Sequence, residues 1–170
     1  MVAKRNVARV AKHLSYPAWM TRRAFPRATL DRIEAAIRDC ERTHRAELRF
    51  AVEGAFDQHT LSHRFSPRQR AIELFSQLRV WDTEENCGVL IYVQLVDRSI
   101  EIVADRGISA RVDQHEWDAI CRRMEAAFRE QRFAEGALQG ISEIAALLAH
   151  HFGPREGGRN ELPDKPVILP

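Results

Sequence analysis

The stretch Asp82–Ile108, DTEENCGVLIYVQLVDRSIEIVADRGI, decides the fold of this chain. Within it, residues 88–95 (GVLIYVQL) are almost continuously apolar, which is typical of a central strand buried on both faces. A short polar turn at 96–99 separates this run from a second β-type run at 100–104 (IEIVA). Because so short a link joins antiparallel strands, the stretch predicts a β-hairpin inside a sheet.

A further strand and a crossover helix are predicted on the N-terminal side of the hairpin. Residues 46–52 (AELRFAV) alternate, so that every second side chain is apolar and points to one face. Ser66 then resembles a helix N-cap, with Pro67 at the first helical position. Since strand–helix–strand units of this length form right-handed crossovers, we expect 46–52 to run parallel to 88–95.

Three more amphipathic helices are predicted. One has Thr29 as its N-cap and ends near His44, and two follow the hairpin with apolar stripes that include Trp117 and Leu138. Helices on both sides of a small mixed β-sheet form a three-layer α/β/α sandwich, so we expect the α/β class.

The length and composition suit one globular domain. The chain has 170 residues, of which 45% are hydrophobic and 29% charged. We divide it into a basic N-terminal arm (1–28), an α/β domain (29–153) and a polar C-terminal tail (154–170).

The sequence indicates neither a membrane span nor a secretory signal. Its longest apolar runs are too short to cross a bilayer, and no apolar segment follows the basic start MVAKRNVARVAKH. The cysteines form no CxxC pair and fit free thiols in a reducing compartment. We therefore expect a cytoplasmic protein.

Charge is distributed unevenly along the chain. The first thirty residues carry +7 and no acid, and since the whole chain carries +2, the remainder carries −5. Such an arm could contact nucleic acid or anionic lipid. No aromatic residue lies among its basic residues before Tyr16, so we favour an arm that packs on the acidic body or stays mobile, and no nucleic-acid site.

Carboxylates crowd the two far ends of the hairpin. In an antiparallel pair the start of one strand lies beside the end of its partner, so the loop before Gly88 should meet the residues after Ala104. A parallel first strand begins at the same edge. The polar residues expected to converge there are Asp82, Glu84, Glu85, Asn86, Asp105 and Glu47.

Converging carboxylates repel one another unless a cation, a proton or an arginine compensates. Carboxylate and amide oxygens are the ligands of Ca²⁺ and Mg²⁺, and no His or Cys cluster suggests zinc. The alternative is a rim of solvated acids, some of them paired with Arg79 or Arg106. Both interpretations stay open.

Several motifs, taken in order, resemble a known family. They are AELRFAV at 46–52, NCGVLI at 86–91, the turn Asp97-Arg98, IEIVADRGI at 100–108, a helix with Trp117, FAEG at 133–136 and NELPD at 160–164. Together they resemble the TPM domain family, named for a thylakoid lumen protein, a photosystem-associated protein and a modulator of acetylcholine receptors. The resemblance covers about residues 29–165 and is closest to the short, soluble bacterial type.

This resemblance implies a Rossmann-like α/β/α sandwich. It also implies divalent-cation binding or acid phosphatase activity, which are associated with some members. Asp105, Asn86 and Glu47 match positions in the family motifs, whereas the acids of the preceding loop match only its place.

Three functions follow as hypotheses. The favoured one is an interaction module that binds Ca²⁺ or Mg²⁺ at the acidic sheet edge. The second is a metal-assisted phosphomonoesterase, in which the cation neutralises the phosphate and activates water. The third is a metal-independent adaptor that docks a protein partner through the arm or the tail.

Overall fold

A computed structural model describes residues 2–62, 66–154 and 160–169. The helices and strands follow one another in the order α1 (Val2–Leu14), α2 (Ala18–Ala24), α3 (Arg27–Cys40), β1 (Glu47–Glu53), α4 (Gln58–Ser62), α5 (Pro67–Gln77), β2 (Gly88–Gln94), β3 (Ser99–Ala104), α6 (Arg106–Ser109), α7 (Gln114–Arg129), α8 (Phe133–His151) and β4 (Val167–Leu169).

The four strands form one mixed sheet in the order β3-β2-β1-β4. β1 runs parallel to β2, with Phe50 opposite Ile91, and β2 runs antiparallel to β3, with Ile91 opposite Ile102. Both predicted pairings are therefore confirmed. The sequence did not predict β4, which runs parallel to the outer edge of β1 with Val167 opposite Ala51.

Apolar side chains on the two faces of the sheet form two cores. Leu48, Phe50 and Val52 lie in the larger core with residues of α3, α7 and α8, such as Ile33 and Ile144. Full burial of each such side chain stabilises the fold by roughly 1.5–3 kcal/mol. The opposite face packs mainly against α5. That second core contains Ala51, Phe56, Ala71, Leu74, Val80, Leu90, Tyr92, Val103 and Leu162. These layers confirm the predicted α/β sandwich.

The bounds of α5 and α3 show where local sequence signals predict helix ends correctly and where they do not. α5 begins as predicted, because Ser66 and Gln69 form a capping box and Pro67 takes the first position. The prediction for α3 is wrong at both ends. Pro26 is its extended N-cap, so Thr29 lies buried in the first turn, and the helix ends at Cys40 instead of near His44.

The N-terminal arm is helical and contacts the body. Arg9 of α1 forms an ion pair with Asp97 in the turn between β2 and β3, with Nη2 and Oδ2 separated by 2.6 Å. Across the described ranges, no helix combines the length and apolar character needed to cross a bilayer.

Candidate functional site

Three chain segments meet at the edge where β1 and β2 begin. Glu47 lies opposite Gly88, and the Glu47 amide donates to the carbonyl of Cys87 at 3.1 Å. The Asp105 amide donates to the carbonyl of Gly88 at 2.9 Å. The backbone therefore brings together the segments that strand topology predicted.

The loop before β2 lies directly against the turn after β3. The Gly107 amide donates to the Asn86 carbonyl at 3.1 Å. A Cβ atom at Gly107 would lie 2.6 Å from that oxygen and 2.7 Å from the carbonyl oxygen of Glu85. Only glycine permits this approach, which places two backbone carbonyl oxygens beside the segment that starts at Asp105.

Only one of the two carboxylate oxygens of Asp105 has a hydrogen-bond partner among the described residues. Its Oδ1 accepts from the Arg106 amide at 2.6 Å and so caps the short helix α6. Its Oδ2 is buried and has no hydrogen-bond partner among the described residues. An ionised carboxylate only accepts hydrogen bonds. A bound cation would therefore take the place of the donor that this buried oxygen lacks.

Arginines contact three of the other predicted ligands, and two of these contacts are ion pairs. Asn86 Oδ1 accepts from Arg106 Nε at 3.0 Å. The Glu85 carboxylate pairs with Arg45 at 3.0 Å, and exposed Asp82 pairs with Arg79 at 2.6 Å. This matches the alternative interpretation of a rim of acids partly compensated by arginine.

The remaining two predicted ligands contact the C-terminal segment. The Glu84 amide donates to the Glu161 carboxylate at 2.9 Å. Glu47 is buried, and its carboxylate accepts from the Leu162 amide at 3.0 Å. Burial raises the pKa of Glu47, although hydrogen bonds from the backbone of Leu162 and Glu161 oppose the rise.

The predicted ligands whose side chains have identified partners thus engage different groups instead of one shared centre; they are Glu47, Asp82, Glu85 and Asn86. Within residues 2–62, 66–154 and 160–169, no three His, Cys, Asp or Glu side chains are grouped so as to hold a metal ion. The metal site remains a prediction, and Asp105 is the predicted ligand whose buried oxygen has no donor.

An acidic cluster lies beside this edge, where residues 160–165 pack on α3 and β1. Glu41 accepts from the Leu48 amide at 2.8 Å, and the Arg49 guanidinium donates to the Lys165 carbonyl at 2.9 Å. Burial raises the pKa of Glu41 to about 8, and the nearby carboxylates of Glu47 and Asp164 add to the rise.

At the opposite end of the strands, a polar cluster that the sequence did not predict holds α1 against the sheet. His13 is buried; its Nδ1 accepts from the Phe56 amide at 2.9 Å, and its Nε2 lies 3.2 Å from the Asp97 carboxylate. Since Nδ1 accepts from this amide, Nε2 is the ring nitrogen that donates to Asp97. Burial would raise the pKa of Asp97, but hydrogen bonds from His13 and Arg9 lower it to about 2.

A second buried network lies at the end of β1. Glu53 accepts from Arg70 at 2.8 Å and from the hydroxyl of Tyr92. Burial disfavours the charged guanidinium of Arg70, but hydrogen bonds to Glu53 and Glu73 raise its pKa. In the sequence, this network is indicated only by Glu53, an acid at the end of an apolar strand. The sequence does not reveal that Arg70 pairs with it.

Comparison with known proteins confirms the family resemblance. The chain matches the family model described as the TPM domain over residues 21–147. No curated protein matches it.

Two solved structures share the fold. The BA42 protein from the psychrophilic bacterium Bizionia argentinensis is 27% identical, with a TM-score of 0.73 over 84% of this chain and 93% of its own. The N-terminal domain of a P. gingivalis protein is 18% identical, with a TM-score of 0.60 over 74% of this chain and 77% of its own. Because the family model spans well over half of the chain, this protein belongs to the TPM domain family.

Proposed function

We propose that this TPM domain binds one Ca²⁺ or Mg²⁺ ion at the sheet edge around Asp105 and acts as an interaction module. The observation that carries the proposal is the buried Oδ2 of Asp105, which has no hydrogen-bond partner in the described part of the chain. An acceptor left without a donor costs about 1–3 kcal/mol, and more when it is charged. A bound cation would remove this cost.

The surroundings of Asp105 offer oxygen ligands of the right kind. The carbonyl oxygens of Glu85 and Asn86 approach the backbone of Gly107, two residues after Asp105. Ca²⁺ and Mg²⁺ accept backbone carbonyl, amide and water oxygens together with a single carboxylate. With one carboxylate and Arg106 nearby, we expect weak binding.

The test is an NMR titration of the amide signals with Ca²⁺ and with Mg²⁺, paired with thermal melting in chelator and in excess cation. We expect shifts concentrated in residues 85–88 and 105–108, and a stabilisation of about 2.7 kcal/mol at a hundredfold excess over the dissociation constant. Asp105→Asn should abolish both effects. The matched control is Asp39→Asn, since Asp39 is an exposed acid on α3 that pairs with Arg42.

The proposal is contradicted if neither the amide signals nor the melting temperature of the wild type changes with either cation. It is also contradicted by an Asp105→Asn variant that responds as strongly as the wild type.

A phosphomonoesterase is the second candidate at the same edge. Arg106 and Arg45 lie beside the acidic loop, and their charges could offset a phosphate ester. Cys87 is a poor nucleophile for this reaction, because burial raises the pKa of its thiol. Cation-dependent hydrolysis of p-nitrophenyl phosphate that Asp105→Asn abolishes would favour the enzyme, whereas cation binding without turnover favours the interaction module.

A further inference from the structure

The two arm helices, α1 and α2, expose apolar side chains that a docked helix would ordinarily bury. Arg9 and His13 direct one face of α1 toward the body. Val7 and Leu14 are seven residues apart and therefore share a different face of α1, where they are 70% and 63% exposed. In α2, Trp19 is 58% exposed and Met20 42% exposed. We call these four side chains the arm patch.

The same arm also carries exposed cations. Lys12, Arg22, Arg23 and Arg27 are all exposed. No acid occurs in the first thirty residues, and the rest of the chain carries a net charge of −5. The arm is therefore both positively charged and partly apolar on its exposed side chains, whereas the rest of the chain is negatively charged.

This combination determines the chemistry of the partner. A nucleic acid would use the cations but would leave the aliphatic side chains of Val7 and Leu14 in water. A second copy of this chain would bring the same positive charges together. An anionic lipid surface satisfies both features, because its headgroups attract cations and its interface accepts aliphatic and tryptophan side chains.

We infer that the arm binds the surface of anionic bilayers peripherally, with Val7, Leu14, Trp19 and Met20 inserted at the headgroup level. The contacts of Arg9 and His13 with Asp97 fix α1 on the body and so keep Val7 and Leu14 on its exposed side. The acidic body stays on the water side of the bilayer. Nothing in this arrangement involves Asp105, so lipid binding is independent of the proposed cation site.

The experiment is co-sedimentation of the full chain with vesicles of phosphatidylcholine mixed with phosphatidylglycerol, and with vesicles of phosphatidylcholine alone. We expect binding to the anionic vesicles that weakens with salt. Replacing two inserted side chains, in Leu14→Ser/Trp19→Ser, should weaken it about tenfold or more. Arg22→Gln should weaken it roughly fivefold.

The control variant is Ile72→Ser/Trp81→Ser, which removes an aliphatic and an aromatic side chain that are 51% and 49% exposed outside the arm. It should bind vesicles like the wild type. Circular dichroism and melting temperature verify that both double variants are folded. Tryptophan emission provides a direct readout, since Trp19→Phe should lose the blue shift on vesicles and Trp81→Phe should keep it.

Four outcomes overturn the inference. They are no binding to anionic vesicles at physiological salt, equal binding to neutral vesicles, equal losses in the two double variants, and a dimer formed through the arm patch in place of vesicle binding. Binding to RNA or heparin that ignores Leu14→Ser/Trp19→Ser, without vesicle binding, would assign the arm to nucleic acid instead.

Discussion

The first prediction concerns Glu41, whose carboxyl group is partly buried where residues 160–165 pack on the body. Burial and the neighbouring carboxylates raise its pKa from 4.5 in the unfolded chain to about 8 in the folded protein. Between these values the folded protein binds a proton that the unfolded chain has lost. Stability therefore falls as pH rises through this window, since rising pH favours the state that binds fewer protons.

The size of the effect follows from the two pKa values. A shift from 4.5 to about 8 corresponds to at most about 5 kcal/mol of unfolding free energy lost above the window. Glu41→Gln keeps an oxygen that accepts from the Leu48 amide and removes the ionisable group. The variant should match the wild type near pH 4 and exceed it by about 2–5 kcal/mol near pH 9.

The assay is urea denaturation of both proteins at several pH values across this range. Glu130→Gln is the control, because Glu130 is an exposed acid that pairs with Arg132, and its curve should run parallel to that of the wild type. If Glu41→Gln also runs parallel to the wild type at every pH, Glu41 is ionised in the folded protein and the reasoning is wrong.

Two further predictions concern the clusters at the two ends of the strands. Asp97→Asn should destabilise the fold by about 2–3 kcal/mol at neutral pH and speed amide exchange in α1, because it removes a charged partner of Arg9 and His13. In the wild type this contribution should be present above pH 3.8 and lost as pH falls toward about 2, and unchanged exchange in α1 would contradict it. Gly107→Ala should cost about 1–3 kcal/mol and weaken any cation response, because its Cβ would meet two backbone carbonyls. Gly153→Ala is its control, since nothing lies within 4 Å of a Cβ there, and equal unfolding free energies of the two variants would refute the close approach.

The strand pairings could be predicted because their signals are local. The run at 88–95 is apolar throughout, residues 46–52 alternate, and the turn at 96–99 is too short for a parallel connection. β4 could not be predicted in this way, since Val167–Leu169 is only three residues long and becomes a strand by pairing with Ala51–Glu53. Tertiary context, not propensity, determines its conformation.

In the candidate site, too, the placement of the backbone could be predicted, whereas the contacts of the side chains could not. Topology was enough to bring Glu47, Gly88 and Asp105 to one edge, because backbone pairing fixes where strands begin and end. The directions of the side chains depend on partners far away in sequence. Leu162 turns Glu47 toward the tail, and Arg45 engages Glu85, and neither contact has a local signal.

The shortness of β4 has a consequence for how separate molecules meet. β4 covers the outer edge of β1 at Ala51, Val52 and Glu53, and β2 covers the other edge. If β4 detached, that edge would offer unpaired amide and carbonyl groups to any strand of the same sequence. Two molecules could then exchange their β4 segments and recover every hydrogen bond of this pairing, which is a domain swap of low energetic cost. Because the Leu162 amide also donates to Glu47 and the Arg49 guanidinium to the Lys165 carbonyl, such an exchange requires these contacts to open together with the three residues of β4.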